Sequence, residues 1–483
     1  MIAGSGAGLA LIGGGIVGFN WLMSGSAHAT GIGVLPFRNL SGDSADAYFS
    51  DGIAEELRAT LSQNSGLAVA AGTSSEVAGK KSSDPKTIAS ALGVNFLLEG
   101  SVRREADKVR IAAQIVDGST GFDKWSQSFD RKIDDILAVQ SEIAAFVTDA
   151  LLSGIAAAKA PRDRLGGTRN NAAFDAYLRG MALYKQAAGE ESDFAALRQF
   201  QRAVKLDPNY AVAQAALSRA YTVIANSYSL HGQTKAYYGQ AQVAAQAAVR
   251  AVPRLADGYS ALGFVLLNGE LNQQGAAAAY ERSFELGYGN ADILAAFASF
   301  AGRTGRFADG RVAIARAQRL DPLNPTVFRT AGLLELDAGQ YDAATSALQT
   351  ALALGPGAIG LHRALGDIAY LKGDFQGARQ EYELEPHPVD RLRGLAMVDM
   401  KLSQEKAAEA AMAELTGKYA DTSAYQQAQV LAQWGRTDDA LTALEKAVAA
   451  NDAGVVRSKN DALLDPIRKT VRFARVEHQL GYA

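Results

Sequence analysis

The chain has 483 residues, 48% of them apolar and 20% charged, with 48 Lys and Arg against 51 Asp and Glu. That mixture can build a sizeable core and excludes a disordered polar chain, and a net charge of −3 gives no overall basic field for nucleic acid. Cysteine is absent, which removes disulfides, thiolate metal sites and cysteine nucleophiles.

The first charged side chain is Arg38, and residues 2–23 form a run of 22 uncharged residues, close to the roughly 20 that cross a bilayer as a helix. Trp21 lies near one end, where an amphipathic ring prefers the interface. Gly4/Gly8 and Gly14/Gly18 are spaced as in close-packed membrane helices. Residues 1–29 are therefore expected to be an amino-terminal transmembrane helix or signal segment, with residues 2–23 contacting the membrane. Two readings compete with the anchor. Ala27-His28-Ala29 has the small-x-small pattern of a cleaved export signal, although no Lys or Arg precedes the apolar run. Gly13-Gly14-Gly15-Ile16-Val17-Gly18 satisfies G-x-G-x-x-G, but no second strand ending in an acid follows at the spacing a dinucleotide site needs.

Residues 30–160 alternate strand and helix signals. Strands are expected at 33–37, 67–71, 96–103, 109–116 and 125–129, the fourth with Val109, Ile111, Ala113 and Ile115 on its buried face. A turn at 106–108 joins the third and fourth. Phe49, Ile53, Leu57 and Leu61 recur every four residues and predict an amphipathic helix over 48–63. Further helices are expected at 87–92 and 133–152. The whole is a small α/β domain with a mixed sheet.

The stretches Val34-Leu-Pro-Phe-Arg-Asn-Leu-Ser-Gly-Asp43, Tyr48-Phe-Ser-Asp-Gly52, Leu98-Glu-Gly-Ser-Val-Arg-Arg104 and Gln114-Ile-Val-Asp-Gly-Ser-Thr-Gly121 resemble the TolB-like amino-terminal domain. The resemblance covers nearly all of 31–155. It implies a bacterial, membrane-tethered protein in which tetratricopeptide repeats follow the domain. In relatives a winged-helix or nucleotide-cyclase domain often precedes the membrane helix, and this sequence contains neither. Ser50-Asp-Gly-Ile53 does not reproduce the paired metal-binding aspartates of a class III cyclase. Asp43, Asp46 and Asp51 fit turns and a helix start, where carboxylates meet unpaired N–H groups.

Pro161 begins a polar linker, expected over 161–171. From 172 to 456 the sequence repeats. Pro253, Gly287, Pro322 and Pro356 are spaced 34, 35 and 34 residues apart, and small residues recur at Gly263, Ala298, Gly332 and Gly366. Ala203, Ala248, Ala317 and Ala351 sit five residues before Pro208, Pro253, Pro322 and Pro356, and Arg282 breaks that series. This pattern is similar to that of tetratricopeptide proteins. Two helices of a repeat cross closely at the small residues, and proline ends the second helix because it lacks an N–H. Seven or eight helical pairs are expected, with residues 391–420 fitting poorly, and residues 457–483 form a capping tail.

The tetratricopeptide resemblance implies an all-α solenoid whose concave groove is lined by first-helix positions. In this sequence those positions are Asp257, Ser260, Phe264 and Asn268, then Asp292 and Arg303, then Arg329, and finally Arg363, Asp367 and Tyr370. Charged and aromatic groups together suit a protein or peptide partner. The Lys and Asn pair that grips chaperone tails in some relatives is incomplete, since no Lys joins Asn268.

Five scattered histidines offer no i, i+4 zinc pair, and neither a G-x-x-x-x-G-K-[ST] loop nor a G-x-S-x-G elbow is present. The expected function is a non-catalytic, membrane-anchored interaction scaffold without cofactor, metal or nucleic acid, held at the inner membrane with residues 30–483 in the periplasm. The alternative is the sensor half of a signalling protein whose cytoplasmic effector is not in this chain.

Overall fold

A computed structural model describes residues 29–483, apart from 106–107, 133–134, 153–162, 187–188, 229–232, 421 and 483. The span expected at residues 2–23 and positions 106–107 of the expected turn lie outside the described residues. Among those described, no helix is long and apolar enough to cross a membrane.

The amino-terminal domain is a mixed sheet with helices on both faces. Its strands are β1 (Thr30–Val34), β2 (Arg38–Asn39), β3 (Leu67–Ala70), β4 (Phe96–Glu105), β5 (Lys108–Asp117) and β6 (Asp123–Lys132), ordered β3-β1-β4-β5-β6 with β2 beside β4. β1 runs parallel to β3 and β4, while β4, β5 and β6 are antiparallel, with Val102 opposite Ile111 and Ile111 opposite Phe129. The period-two pattern in β5 is realised: Val109, Ile111, Ala113 and Ile115 are all buried. They pack with Ile53 and Leu57 of α1 (Ala47–Leu61) and Ile143 and Val147 of α4 (Ile136–Leu151). The other face carries α2 (Gly72–Lys81) and α3 (Pro85–Leu92), whose Ala78, Ile88 and Leu92 cover Leu97 and Val116. β1 ends at Val34, earlier than expected, because Pro36 supplies no N–H to a ladder. Asp84 caps α3 by accepting the Thr87 N–H at 3.0 Å, with Pro85 in the first turn.

From Asn171 onward, eight helical hairpins stack side by side among the described residues. They are α5 (Asn171–Gln186) with α6 (Glu190–Leu206), α7 (Ala211–Ser227) with α8 (Thr234–Ala251), α9 (Ala256–Asn268) with α10 (Gln273–Leu286), and α11 (Ala291–Thr304) with α12 (Phe307–Leu320). Then follow α13 (Pro325–Asp337) with α14 (Tyr341–Leu354), α15 (Leu361–Leu371) with α16 (Phe375–Leu384), α17 (Pro388–Lys401) with α18 (Glu405–Gly417), and α19 (Ala424–Gln433) with α20 (Thr437–Ala449). Residues 391–420 thus form a regular pair despite their weak match to the repeat. The small residues do what their spacing demanded: a Cβ on Gly332 would lie 2.5 Å from Leu348, and one on Gly366 2.6 Å from the Tyr382 ring. Asn290 and Asn324 cap α11 and α13 with their side chains. Aromatic rings fill the space between neighbouring hairpins, Phe284 against Phe297 at 4.5 Å and Tyr280 against Phe300 at 4.8 Å.

The capping tail turns inward. After α20, a 3-10 segment (Ala453–Asn460) lies along the inner side of α11, and α21 (Asp465–Arg468) and α22 (Val471–Gln479) close behind it. The Asn451 amide donates to the carbonyls of Asn268 and Gly269 at 3.1 and 2.8 Å, and the Asn460 amide donates to those of Gly302 and Arg303 at 2.9 and 3.1 Å. The superhelix therefore curls far enough for its last turn to touch its third and fourth hairpins.

The inner wall of the solenoid as candidate site

Two pieces of the chain stand against the inner wall. The first is the α/β domain. Gly52 on α1 lets that helix lie directly on Leu178 of α5, since a Cβ there would come within 2.7 Å of both Leu178 methyls. Tyr48 ties the same pair of helices: its hydroxyl donates to Asp175 at 2.6 Å and accepts from Arg179 at 2.7 Å, and the Arg179 guanidinium lies 4.4 Å from the ring centre. Arg164 pairs with Glu56 beneath them. Further along, the Ala71 N–H donates to the Leu320 carbonyl at 2.8 Å, and Asp321 accepts the Ser74 N–H at 3.0 Å and the Ser74 hydroxyl at 2.5 Å. The domain thus bridges the first hairpin and the end of the fourth.

Between these two contacts a cavity of about 180 Å³ remains, with Tyr177, Tyr184 and Phe200 along one side and charged groups from both partners along the other. Glu55 meets Arg58 at 2.6 Å and Lys185 at 2.8 Å. Burial alone would raise the Glu55 carboxyl, but the two cations outweigh it and hold the group below the usual carboxylate range. Arg219 reaches Asp257 at 3.1 Å. Asp292 has no hydrogen-bond or ion-pair partner for its carboxylate among the described residues. The residue is exposed at the cavity's edge, and its carboxyl is raised by the protein packed around it, with Arg219 opposing and Asp321, Glu55 and Asp257 adding to the rise.

The second piece is the carboxy-terminal segment, which covers the middle of the wall. Arg457 pairs with Asp337 at 3.4 Å. Among the described residues, the Arg303 guanidinium hydrogen-bonds only to the Asn268 amide oxygen, at 3.5 Å. Beyond it, Asp367 receives Arg363 at 2.9 Å, Arg393 at 2.5 Å and the Tyr382 hydroxyl at 2.8 Å. Arg393 is 1% exposed, so this is an ion-paired core between hairpins.

The ten residues expected in the groove therefore fall into three sets. Asp257 and Asp292 face the interdomain cavity. Phe264, Arg303 and Arg329 keep partial exposure on the wall beside the carboxy-terminal segment. Ser260, Asn268, Arg363, Asp367 and Tyr370 are buried. The Tyr370 hydroxyl contacts Gln433 at 3.2 Å, and the Asn268 amide donates to the Phe264 carbonyl at 2.9 Å. Repeat spacing names first-helix positions, but it carries no information about a distant segment folding over them. The same blindness hid Glu55, Arg58, Ser74 and Arg457, none of which belongs to a repeat. The only sequence signal for α2 was weak, since Gly72-Thr-Ser-Ser-Glu-Val-Ala-Gly-Lys-Lys81 has no apolar stripe. Among the described residues, no group of three or more His, Asp or Glu is placed to hold a metal ion.

No family model matches the chain. A curated protein of Rhizobium meliloti (strain 1021) named "Putative adenylate cyclase 3" is 40% identical over 187 residues, which are 39% of this chain and 32% of that protein, so the chain spans about a third of the relative's length. Several solved repeat proteins are similar to parts of it. Pseudomonas aeruginosa PilF shares 21% identity over 42% of this chain and 92% of its own, with a TM-score of 0.33. YrrB, described as a tetratricopeptide protein with an unusual peptide-binding site, shares 21% identity over 38% of this chain and 87% of its own, with a TM-score of 0.26. A tetratricopeptide repeat protein from Parabacteroides merdae shares 10% identity over 62% of this chain and 99% of its own, with a TM-score of 0.37. By its own helix pairs and its 34-residue period, the back of this chain is a tetratricopeptide-type solenoid.

Proposed function

We propose that this protein is a non-catalytic interaction scaffold whose solenoid wall takes a protein or peptide partner, with the α/β domain, read as TolB-like, acting as a second docking surface at the wall's amino-terminal end. One observation carries the reading: eight hairpins stack among the described residues, and on their inner wall Phe264, Arg303 and Arg329 keep partial exposure. A photo-crosslinking residue at Phe264, compared with one at Val243 on the outer helices (64% exposed), tests it. Polypeptide adducts from position 264 that are competed by unlabelled protein are expected. Equal labelling from both positions, or none from 264, refutes a partner on the inner wall.

A second reading is favoured by the name of the curated relative: the chain is the sensor half of a signalling protein of the nucleotide-cyclase or transcription-regulator type. An in-frame effector domain encoded upstream of Met1 would support it. In either reading we place residues 1–29 as an inner-membrane anchor and residues 30–483 in the periplasm. Protease added to spheroplasts should then remove residues 30–483, and full protection would exclude that topology.

A further inference from the structure

We propose that Arg329 and Arg363, beside Gly360, form a site for a small oxyanion of the phosphate class. This goes beyond the scaffold reading and does not depend on it. The starting point is Arg329 on α13. Among the described residues its guanidinium makes no hydrogen bond and no ion pair, and its Nε–H is buried without an acceptor. That buried Nε–H has lost water without gaining an acceptor, which is costly on a charged group. Its neighbours deepen the cost. Arg329 Nη2 lies 3.2 Å, and Arg363 Nε 3.8 Å, from the point that a Cβ on Gly360 would occupy, so two guanidinium groups flank that glycine. The backbone there has φ +82°, which suits glycine.

The charges that could neutralise Arg329 are engaged elsewhere. Asp337 holds Arg457, and Asp367 holds Arg363 and Arg393. Asp390 lies 3.2 Å from His387 and 3.9 Å from Arg363. Glu385 accepts the Gly360 and Arg363 N–H groups, and Asp461 accepts from Tyr425 and Gln429. Burial, followed by the fields of Arg363, Arg457 and Arg303 and only partly opposed by Asp390, pushes the Arg329 guanidinium down to about 10, which agrees with the geometry of a cation without a direct acid partner.

Two guanidinium groups, from α13 and α15, offer donors from two directions beside Gly360. A tetrahedral oxyanion presents acceptors in both directions, whereas a carboxylate satisfies one planar fork.

The test uses the full chain in a phosphate-free buffer at fixed chloride, titrated with inorganic phosphate and followed by calorimetry and thermal unfolding. Saturable binding with a matching rise in Tm is expected. Arg329→Met should weaken binding by about tenfold or more, the scale of one lost charge-assisted hydrogen bond, while Arg436→Ala, at a surface pair with Asp439, leaves it unchanged. Without phosphate, Arg329→Met should unfold no earlier than the parent, since the cation it removes has no direct acid partner; a strut would lower Tm. Phenyl phosphate distinguishes the source. Saturation by both compounds assigns a site open to monoesters, and saturation by phosphate alone a site closed round the free ion. No saturable binding, an equal response in Arg329→Met, or the same Tm rise from chloride at matched ionic strength would overturn the proposal.

Discussion

Replacing Asp321 by Ala should loosen the grip of the α/β domain on the solenoid without damaging either core. The Asp321 side chain is 1% exposed and accepts the Ser74 N–H, the Ser74 hydroxyl and the Asn324 amide, the last at 2.6 Å. Ser74 is fully buried and lies 247 positions away in the sequence. Without the carboxylate, two buried Ser74 donors lose their acceptor, at about 1–3 kcal/mol each. Part of that is offset, because burial already pushes the Asp321 carboxyl above its usual range, so the charge itself is held at a cost. A net loss of about 2–3 kcal/mol follows, or about a thirtyfold to hundredfold shift in the docking equilibrium. Amide hydrogen exchange reads it directly: the amides of residues 71–78 should exchange faster in Asp321→Ala, while those of β5 keep their protection. Unchanged exchange at Ser74 and Ser75, or equal acceleration throughout β5, would refute the reasoning.

Three further outcomes are expected. The Glu55 carboxyl is lowered in the folded chain, so the stability it supplies is complete above the unfolded value near 4.5 and drains away as the pH falls below it; Glu55→Gln should flatten that acid limb in urea titrations, and an unaltered limb would exclude the ion pair as its source. Gly366→Leu should lower stability by about 1–3 kcal/mol through overpacking against Tyr382, seen as a lower Tm; a variant as stable as the parent would mean the hairpin crossing is not tight. Asn460→Ala removes the amide that holds the carbonyls of Gly302 and Arg303, so trypsin should cut faster after Arg457 and Lys459. Equal cleavage would show that the segment is held by other contacts.

The parts of this fold that repeat or alternate were readable from the sequence. The offsets of Gly263, Gly332 and Gly366 state a steric need that holds wherever two helices cross, and the alternation in 109–116 states which strand face is buried. Pro388–Lys401 and Glu405–Gly417 were harder, because Gly394 serves the close approach to Tyr382 at a position the regular spacing does not mark. The site was least legible. Asp257 and Asp292 were named from repeat position, but the cavity they face is half built by Glu55, Arg58 and Ala71, which follow no repeat. Arg329 was named as a groove residue; that its guanidinium has no acid partner among the described residues depends on where Asp337, Asp367 and Asp390 spend theirs. Such facts belong to pairs of residues far apart in the chain, and local pattern does not contain them.

The hydrogen bonds from Asn451 and Asn460 back to the third and fourth hairpins change how this array should melt. An open stack of repeats frays from its ends, each unit answering only to its neighbours. Here the final turn is stitched to the middle across more than 150 positions, so the carboxy-terminal hairpins cannot peel away one at a time without breaking into the centre. Such long-range closures slow folding and couple distant units. Removing the last thirty or so residues should therefore convert a single sharp thermal transition into a broad, stepwise one, and inserting an extra repeat before Ala424 should be tolerated far worse than in a linear array.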